Sequence, residues 1–266
     1  MIHGGISPRT RLLLGIASMA LLAVSYLALS ARQHARNPND TTLPNLGQLA
    51  EGVSKVVTRN EADDEVWLFA DMKATFYRLF TGLLVGCLAS VVLGILMGCY
   101  PKVEAFFFPG LSFLAKIPPT AMLAVFFVIA GTGFKLYVTM IAFGVLPTLT
   151  QTVYQSAKKD VPDELIFKAS TLGASQFEVI WDVIFQQTLP KMLDAIRLQI
   201  GPAMVYLIAA ELMSADVGFG YRLRMESRLL HMNVVYVYLV VLGAAGYLLD
   251  TLMIRLRRRL CPWYGQ

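Results

Sequence analysis

The chain has 266 residues, of which 56% are hydrophobic and only 15% are charged, and its formal net charge is +5. Soluble domains carry about 25% charged residues, so this composition predicts an integral membrane protein. The positive charge does not indicate nucleic-acid binding, because the basic residues gather at the two ends of the chain, at Arg9 and Arg11 and from Arg255 to Arg259. Membrane proteins place cytoplasmic anchors in such positions.

Apolar runs of about 18 or more residues are long enough to cross the hydrocarbon core of a bilayer. Six such runs predict an all-α, polytopic membrane protein with six transmembrane helices, at residues 12–29, 80–100, 111–130, 136–154, 198–217 and 234–254. The first run is either a retained anchor or part of a signal peptide. Its length exceeds the roughly 7 to 15 apolar residues of a signal peptide, which favours an anchor.

Small residues and prolines mark two of these spans as contact surfaces. The second span holds Gly82 with Gly86 and Gly94 with Gly98, spacings that allow close helix approach, and we expect them to pack within the subunit. In the third span, Pro118 and Pro119 remove backbone donors and break the helix. Lipid does not tolerate such a break unless protein or a water-filled cavity satisfies the freed groups, so we expect this span to face the protein interior.

The span count and the charges predict one topology. Six spans put both termini on one side, and both termini are basic, so both are expected in the cytoplasm. The loop of residues 30–72, with the acidic cluster Glu61 to Glu65, then lies outside, and the loop of residues 155–197 lies inside. One feature disagrees with the positive-inside rule, since the last external loop carries Arg222, Arg224 and Arg228.

The inner loop has the signals of two short helices joined by a bend. Asp160 is expected to cap the first helix, and Gly173 to end it, because glycine accepts the left-handed conformation common at helix ends. Ser175 and Glu178 form a capping box for a second helix, which Pro190 is expected to close. The helical spacing predicts two apolar faces, made of Leu165, Ile166, Ala169 and Leu172 in the first helix and of Phe177, Ile180, Trp181 and Ile184 in the second. Such a loop is expected to dock on a partner.

This loop resembles the cytoplasmic loop of permease subunits of bacterial ABC importers, which carries Glu-Ala-Ala, three residues, Gly, nine residues, Ile, one residue and Leu-Pro. With Gly173 on the family's glycine, the remaining motif positions are occupied by Phe167, Lys168, Ala169, Val183, Phe185 and Gln186. In that family the bent helix fits a cleft on the ATP-binding subunit. The resemblance therefore implies a coupling surface made of Glu164, Phe167, Lys168, Ala169, Leu172, Gly173 and Ala174. Glu164, one helical turn before Phe167, is expected to supply the charge of the missing motif glutamate.

Further segments are similar to the nitrate, sulfonate and taurine branch of these permeases, from about Lys73 onward: "TLGAS", "DELIFKA", "IAAELM" and "GFGYRL". A weaker likeness, in "ARNPND" and "CPWYG", is to a subgroup associated with urea-carboxylase-type metabolism, which implies guanidinium or urea-like cargo. The resemblance implies a type I ABC importer permease architecture. Residues 1–72 would form an N-terminal anchor helix and external loop, and residues 73–266 a five-helix core with the coupling loop 155–197.

The implied function is that of the transmembrane subunit of an ATP-driven importer for a small polar solute in a bacterial inner membrane. The implied partners are two ATP-binding subunits, an extracytoplasmic solute-binding protein, a second copy of the permease and membrane lipid. The sequence has no P-loop, so we expect this chain to hold no cofactor and the ATP-binding subunits to bind ATP and magnesium.

The resemblance also implies a translocation path, for which we expect contributions from Pro118, Pro119, Pro147 and Glu211. Glu211 lies about 20 Å into the fifth span, where an ionisable residue is costly and often functional. The alternative is a carboxylate that pairs locally or reaches the outer surface.

Two other classes of function make different demands on the sequence. A membrane enzyme would need a nucleophile, a base or metal ligands converging at the interface, and the sequence shows no such cluster. A membrane scaffold or assembly protein that docks a cytosolic partner through the inner loop stays open.

Overall fold

The computed structural model describes residues 7–38, 40–59 and 65–264. Three of the four acidic residues of the predicted cluster, Glu61, Asp63 and Asp64, lie outside these residues, and Glu65 lies within them. No sheet forms in the described part of the chain, where Arg59 and Val66 make an isolated antiparallel bridge. The predicted all-α class is confirmed.

The described helices follow one another in this order: α1 (Pro8–Arg36), α2 (Leu46–Val57), α3 (Trp67–Cys99), α4 (Pro101–Leu114), a 3-10 turn (Pro119–Met122), α5 (Leu123–Ala130), α6 (Phe134–Lys159), α7 (Asp163–Thr171), α8 (Gln176–Glu178), a π segment (Val179–Phe185), α9 (Gln186–Ser214), α10 (Phe219–Arg228) and α11 (Met232–Leu260).

Five helices in the described residues are long and apolar enough to cross a membrane, and a bent pair makes a sixth span when it is counted as one. The pair is α4 with the helix from Pro119 to Ala130, and its two arms meet at 82°. The bend falls at Pro118 and Pro119, where the sequence predicts a broken helix. The six predicted spans therefore correspond to five helices and one broken helix.

The described chain divides into two units. The larger comprises residues 68–224 and the chain from 240 onward, and its core follows α6 and α9. One face of α6 is completely buried, at Leu136, Met140, Ile141, Val145, Leu149 and Val153. These positions recur at the three-to-four-residue spacing of an α-helix, so α6 acts as the central element of this unit.

The α3 glycines pack on α6 as the sequence predicts. A side chain built at Gly82 would lie 2.7 Å from Ile141, and one at Gly94 would lie 2.7 Å from Val153. Ser90, between them, is buried and donates a hydrogen bond to the Leu146 carbonyl of α6 at 3.3 Å. The absence of side chains at the glycines lets the two backbones approach closely.

The smaller unit contains α1, α2 and residues 225–239. Tyr26 of α1 donates a hydrogen bond to the Pro44 carbonyl at 2.8 Å and packs against Tyr236. Asn45 and Gln48 form a capping box at the start of α2. These contacts hold α2 beside α1.

Two boundary predictions in the inner loop are wrong. Asp160 does not cap α7: it is the C-cap of α6 and pairs with Lys191 at 2.8 Å, and α7 begins after Pro162. Pro190 does not close the second helix either, since one helix of 39 residues runs from Gln176 to Ser214. The hydroxyl of Thr188 donates to the carbonyls of Ile184 and Phe185 within the turn before the proline.

Candidate functional site

The bend in the inner loop is a hydrogen-bonded C-cap. Gly173 has φ of +89°, in the left-handed region that favours glycine. Its amide bonds the Ser170 carbonyl, and the amide of Ala174 reaches back to the Ala169 carbonyl, each at 3.1 Å. This pattern is a Schellman motif, so the predicted glycine stop is confirmed.

The second predicted cap is also present. The Glu178 carboxylate accepts from the Ser175 amide at 2.7 Å, and the Glu178 amide donates to the Ser175 hydroxyl at 3.3 Å. Two caps within six residues fix the angle between α7 and the helix that follows.

The predicted coupling residues divide between two faces of α7. Ala169 and Ala174 pack with Ile166 on a small core formed by Ala157, Val161, Val179 and Ile184. On the other face, Leu172 is 88% exposed and Phe167 is 69% exposed, and Glu164 and Lys168 are exposed beside them. Leu172 therefore does not belong to the packed face to which the helical spacing assigned it.

A π segment changes which residues of the second loop helix are buried. Its wider turn places Val179 and Ile184, five residues apart, together in the small core. Phe177 and Trp181 stay exposed, and Trp181 stacks on Phe185 with ring centroids 4.7 Å apart. The predicted face of Phe177, Ile180, Trp181 and Ile184 is thus split, because it assumes an α-helical period.

A cavity of about 480 Å³ lies beneath α7. Its walls come from the last residues of α3 and α6, from α7 and from the π segment, and they include Cys99, Lys158, Asp163 and Ile180. Side chains therefore fill only part of the space between α7 and the ends of α3 and α6.

The prolines of the predicted path lie at covered positions of the larger unit, apart from Pro118, which is exposed. Pro119 is buried, and a side chain built at Gly144 would lie 3.1 Å from it and 2.3 Å from Tyr206 of α9. Pro147 is buried within α6. The helix break is thus covered by protein only at Pro119, in part as expected, and α5 beyond it exposes Val128 and Ile129.

Glu211 is completely buried at the other end of this unit and has local partners. Its carboxylate accepts from Arg78 Nη1 at 2.7 Å, from the Thr75 hydroxyl at 3.0 Å and from the Gly220 amide at 2.9 Å. A buried carboxylate needs such partners, because an unpaired charge away from water is very costly. The arrangement fits the local pairing that the sequence left open.

A second ion pair adjoins the first. The buried Asp71 accepts from Arg222 Nε at 3.0 Å and from the Gly218 amide at 2.8 Å. Together with Glu211, Arg78 and Thr75, these groups form what we call the polar cluster. It ties α3 to the turn between α9 and α10.

The arginines of the predicted last external loop, which disagree with the positive-inside rule, have structural partners. Arg222 belongs to the polar cluster, and Arg224 donates to the carbonyls of Leu212, Met213 and Ala215 at 2.9 to 3.0 Å. These carbonyls end α9 and have no partner within the helix, so Arg224 caps them. The segment predicted as a loop is therefore partly helical, as α10.

Sequence reasoning missed Arg78 and Asp71, because each acts with a partner more than a hundred residues away. Their only visible signal is the presence of an arginine and an aspartate just before the second apolar run. In the described residues, no group of three or more His, Cys, Asp and Glu side chains is arranged to hold a metal ion.

With this geometry in place, residues 90–264 match the family described as the binding-protein-dependent transport system inner membrane component. The match covers about two thirds of the chain. The chain belongs to this family. It is a multi-pass component of an inner-membrane transport system and not an enzyme.

Named relatives support the predicted branch. The taurine transport system permease protein TauC of Escherichia coli is 29% identical over 199 residues, covering 75% of this chain and 72% of the relative. A permease protein named for aliphatic sulfonates in Bacillus subtilis, SsuC, is 28% identical, covering 74% and 71%. The bicarbonate transport system permease protein CmpB of Synechocystis is 25% identical, covering 73% and 70%.

A chain of the MetNI methionine ABC transporter, solved in inward-facing conformations, has a TM-score of 0.57 and 20% identity. The similarity covers 81% of this chain and 97% of that chain. It confirms the type I permease fold.

Proposed function

We propose that this chain is the membrane permease of an ATP-driven importer and that α7 couples it to a separate ATP-binding subunit. The supporting observation is the exposed tip of the inner loop, where Phe167 and Leu172 stand in the open next to Glu164 and Lys168. Such a surface is too charged for the bilayer core and unusually apolar for water. A protein cleft would cover the apolar groups and leave the charges at its rim.

The proposed assembly has two permeases, two ATP-binding subunits and an extracytoplasmic solute-binding protein. The family description names binding-protein dependence, and relatives are permease proteins of transport systems. In the proposal, the ATP-binding subunits hold ATP and magnesium. A second copy of the permease would cover part of the apolar surface of α5, where Val128 is 87% exposed.

The proposed cargo is a small polar solute of the taurine and sulfonate type, for which TauC and SsuC are named. The weaker resemblance adds guanidinium or urea-like solutes as candidates. Both termini are placed in the cytoplasm on the strength of their basic residues.

The proposed mechanism is alternating access. ATP would close the two motors, and the docked α7 helices would move with them. The broken helix at Pro118 and Pro119 and the interrupted ladder at Pro147 are positions where the spans can re-pack, since helices bend most easily at proline. Glu211 would take part in the path through the polar cluster.

Gly173→Val tests the coupling role of α7. A left-handed residue with a side chain is strained by about 1 to 2 kcal/mol, and valine will favour other turn conformations. To bind, the variant must return the turn to its docking geometry, and the free energy that this costs weakens binding of the ATP-binding subunit by roughly tenfold. Co-purification from membranes and titration in nanodiscs measure this affinity.

Gly131→Val is the matched control. Gly131 also has a positive φ, of 73°, and at both glycines a side chain would meet nothing within 4 Å, so the two variants share backbone strain without a clash. We expect Gly131→Val to bind the ATP-binding subunit as the unmodified chain does. Equal binding and equal solute-stimulated ATPase activity in Gly173→Val would contradict the coupling role and favour a tether or a scaffold.

A further inference from the structure

A polar pocket lies at the end of the larger unit opposite α7. Its volume is about 340 Å³, and its lining includes Tyr77, Arg78, Thr132, Tyr137, Ser214 and Asp216. These residues come from the N-terminal half of α3, from the first turn of α6, from the end of α9 and from the adjoining loops. The 26 residues of α6 span roughly 39 Å, so the pocket and α7 lie about one membrane thickness apart.

Arg78 offers unused hydrogen-bond donors to this pocket. Its Nη1 donates to Glu211 and to the Val217 carbonyl, each at 2.7 Å, and its guanidinium lies over the Tyr137 ring. Within the described residues its Nε and Nη2 make no hydrogen bond, and the side chain is 13% exposed. A guanidinium presents five donors in a fixed plane, so an oxygen-rich anionic group can bind the free edge.

Asp216 supplies the opposite charge. It is exposed on the pocket wall and makes neither an ion pair nor a hydrogen bond within the described chain. Glu211 already balances Arg78 from behind. The lining therefore carries one uncompensated negative charge, which favours a cationic group in the ligand and disfavours a simple anion.

We propose that this pocket is a transit site for small zwitterions, with a cationic nitrogen on Asp216 and an anionic oxygen group on Nε and Nη2 of Arg78. The inference rests on the proposed function, since it assigns the solute class to one station of the path. The volume is at the lower end of the range for small-molecule sites, about 300 to 1,000 Å³, as a compact solute requires.

This assignment separates solutes that share an anionic group. Isethionate has the sulfonate of taurine but a hydroxyl in place of the ammonium, and it would leave Asp216 unpaired. A site built to pair a polar group rejects the analogue that lacks it. We therefore expect at least about tenfold weaker binding of the simple sulfonate, because one charge-assisted contact is lost.

Equilibrium binding to the assembled permease and ATP-binding subunits in nanodiscs, without the binding protein, tests this assignment. The ligands are two zwitterions, taurine and guanidinoacetate, and two singly charged analogues, isethionate and ethanolamine. We expect at least one zwitterion to bind about tenfold more tightly than both analogues. Asp216→Asn should abolish the preference over isethionate and Asp216→Glu should retain it. Glu51→Gln, which neutralises an exposed carboxylate of α2, should leave it unchanged.

The inference is overturned if neither zwitterion binds more tightly than isethionate, or if Asp216→Asn keeps the preference. Its failure is distinguishable from failure of the proposed function, which is measured at the opposite end of the permease. If zwitterions are not preferred but Gly173→Val weakens coupling as expected, only the transit site is contradicted. If zwitterions are preferred but Gly173→Val couples as well as the unmodified chain, only the coupling role is contradicted.

Discussion

Glu211 has a complete set of partners although it lies in the apolar interior of the larger unit. Arg78, Thr75 and the Gly220 amide all donate to its carboxylate. A buried pair of this kind is costly to break from one side, because the remaining charge loses its compensation. The residue therefore has a structural role that any transport measurement has to separate from a role in the path.

Variants that replace one or both residues of the Arg78–Glu211 pair separate its role in stability from its role in transport. We expect Glu211→Gln to lower the free energy of unfolding by about 3 to 5 kcal/mol, because it leaves Arg78 uncompensated. The double variant Arg78→Gln with Glu211→Gln should recover part of that loss. Thermal unfolding of the purified permease measures stability, and uptake into vesicles measures transport.

The path role then has a clear signature. If the double variant regains stability but not uptake, the pair contributes to transport as well as to folding. Full recovery of both would assign Glu211 to structure alone and would also contradict the role of Arg78 in the transit site.

At the scale of single residues, the sequence predicts what depends on neighbours along the chain. Gly173 was identifiable because a helix stop needs a residue that accepts positive φ, and the structure gives it 89°. The partner of Glu211 was not, because Arg78 lies 133 residues away and no local rule joins them. Asp71 and Arg222 were missed for the same reason.

Among the elements, α3 and α6 approach each other closely along a row of α3 glycines. Gly82, Gly86, Gly94 and Gly98 lie on one side of α3 and face side chains or backbone of α6. Their four-residue spacing keeps them nearly in line along the helix. Any added atom there has to push the two helices apart.

Gly94→Ala tests this contact. The new methyl group would lie 2.7 Å from Val153, and such overpacking costs about 1 to 3 kcal/mol. Gly110→Ala in α4 is the control, since a methyl group there meets nothing within 4 Å. We expect a lower unfolding midpoint for the first variant and no loss for the second. Equal midpoints would show that α3 and α6 are not held together at this contact.

Element boundaries were predictable only where caps are local. The capping box at Ser175 and Glu178 was found from four residues of sequence. Pro190 was predicted as a stop because a proline usually ends a helix, whereas here the helix continues through it to Ser214 and buries it. Burial against the rest of the unit depends on tertiary packing, which local sequence signals do not contain.

For the whole molecule, the distribution of basic residues is partly structural. Arg222 and Arg224 are engaged with Asp71 and with the end of α9, so their place in the predicted external loop has a structural reason. At the opposite end, Arg257 of α11 pairs with Asp194 of α9. The remaining basic tail still favours a cytoplasmic C-terminus.

Cysteine labelling tests that topology. In a cysteine-free chain, single cysteines at Asp64, which lies outside the described residues, and at the exposed Arg258 should react from opposite sides of the membrane. An impermeant maleimide applied to intact cells should modify the first only, and disrupted cells should allow both. Labelling of both positions from outside would contradict a cytoplasmic C-terminus.

The unbroken helix from Gln176 to Ser214 has a consequence for how force crosses the membrane. Its 39 residues measure roughly 58 Å along the axis, about twice the thickness of the hydrocarbon core. One end begins three residues after Gly173, and the other end carries Glu211 and borders the zwitterion pocket at Ser214. If the helix tilts as one body, by 5° about its midpoint, its two ends move by roughly 2.5 Å in opposite directions. A sideways pull on the loop would then move the pocket wall sideways in the opposite direction, in the same step.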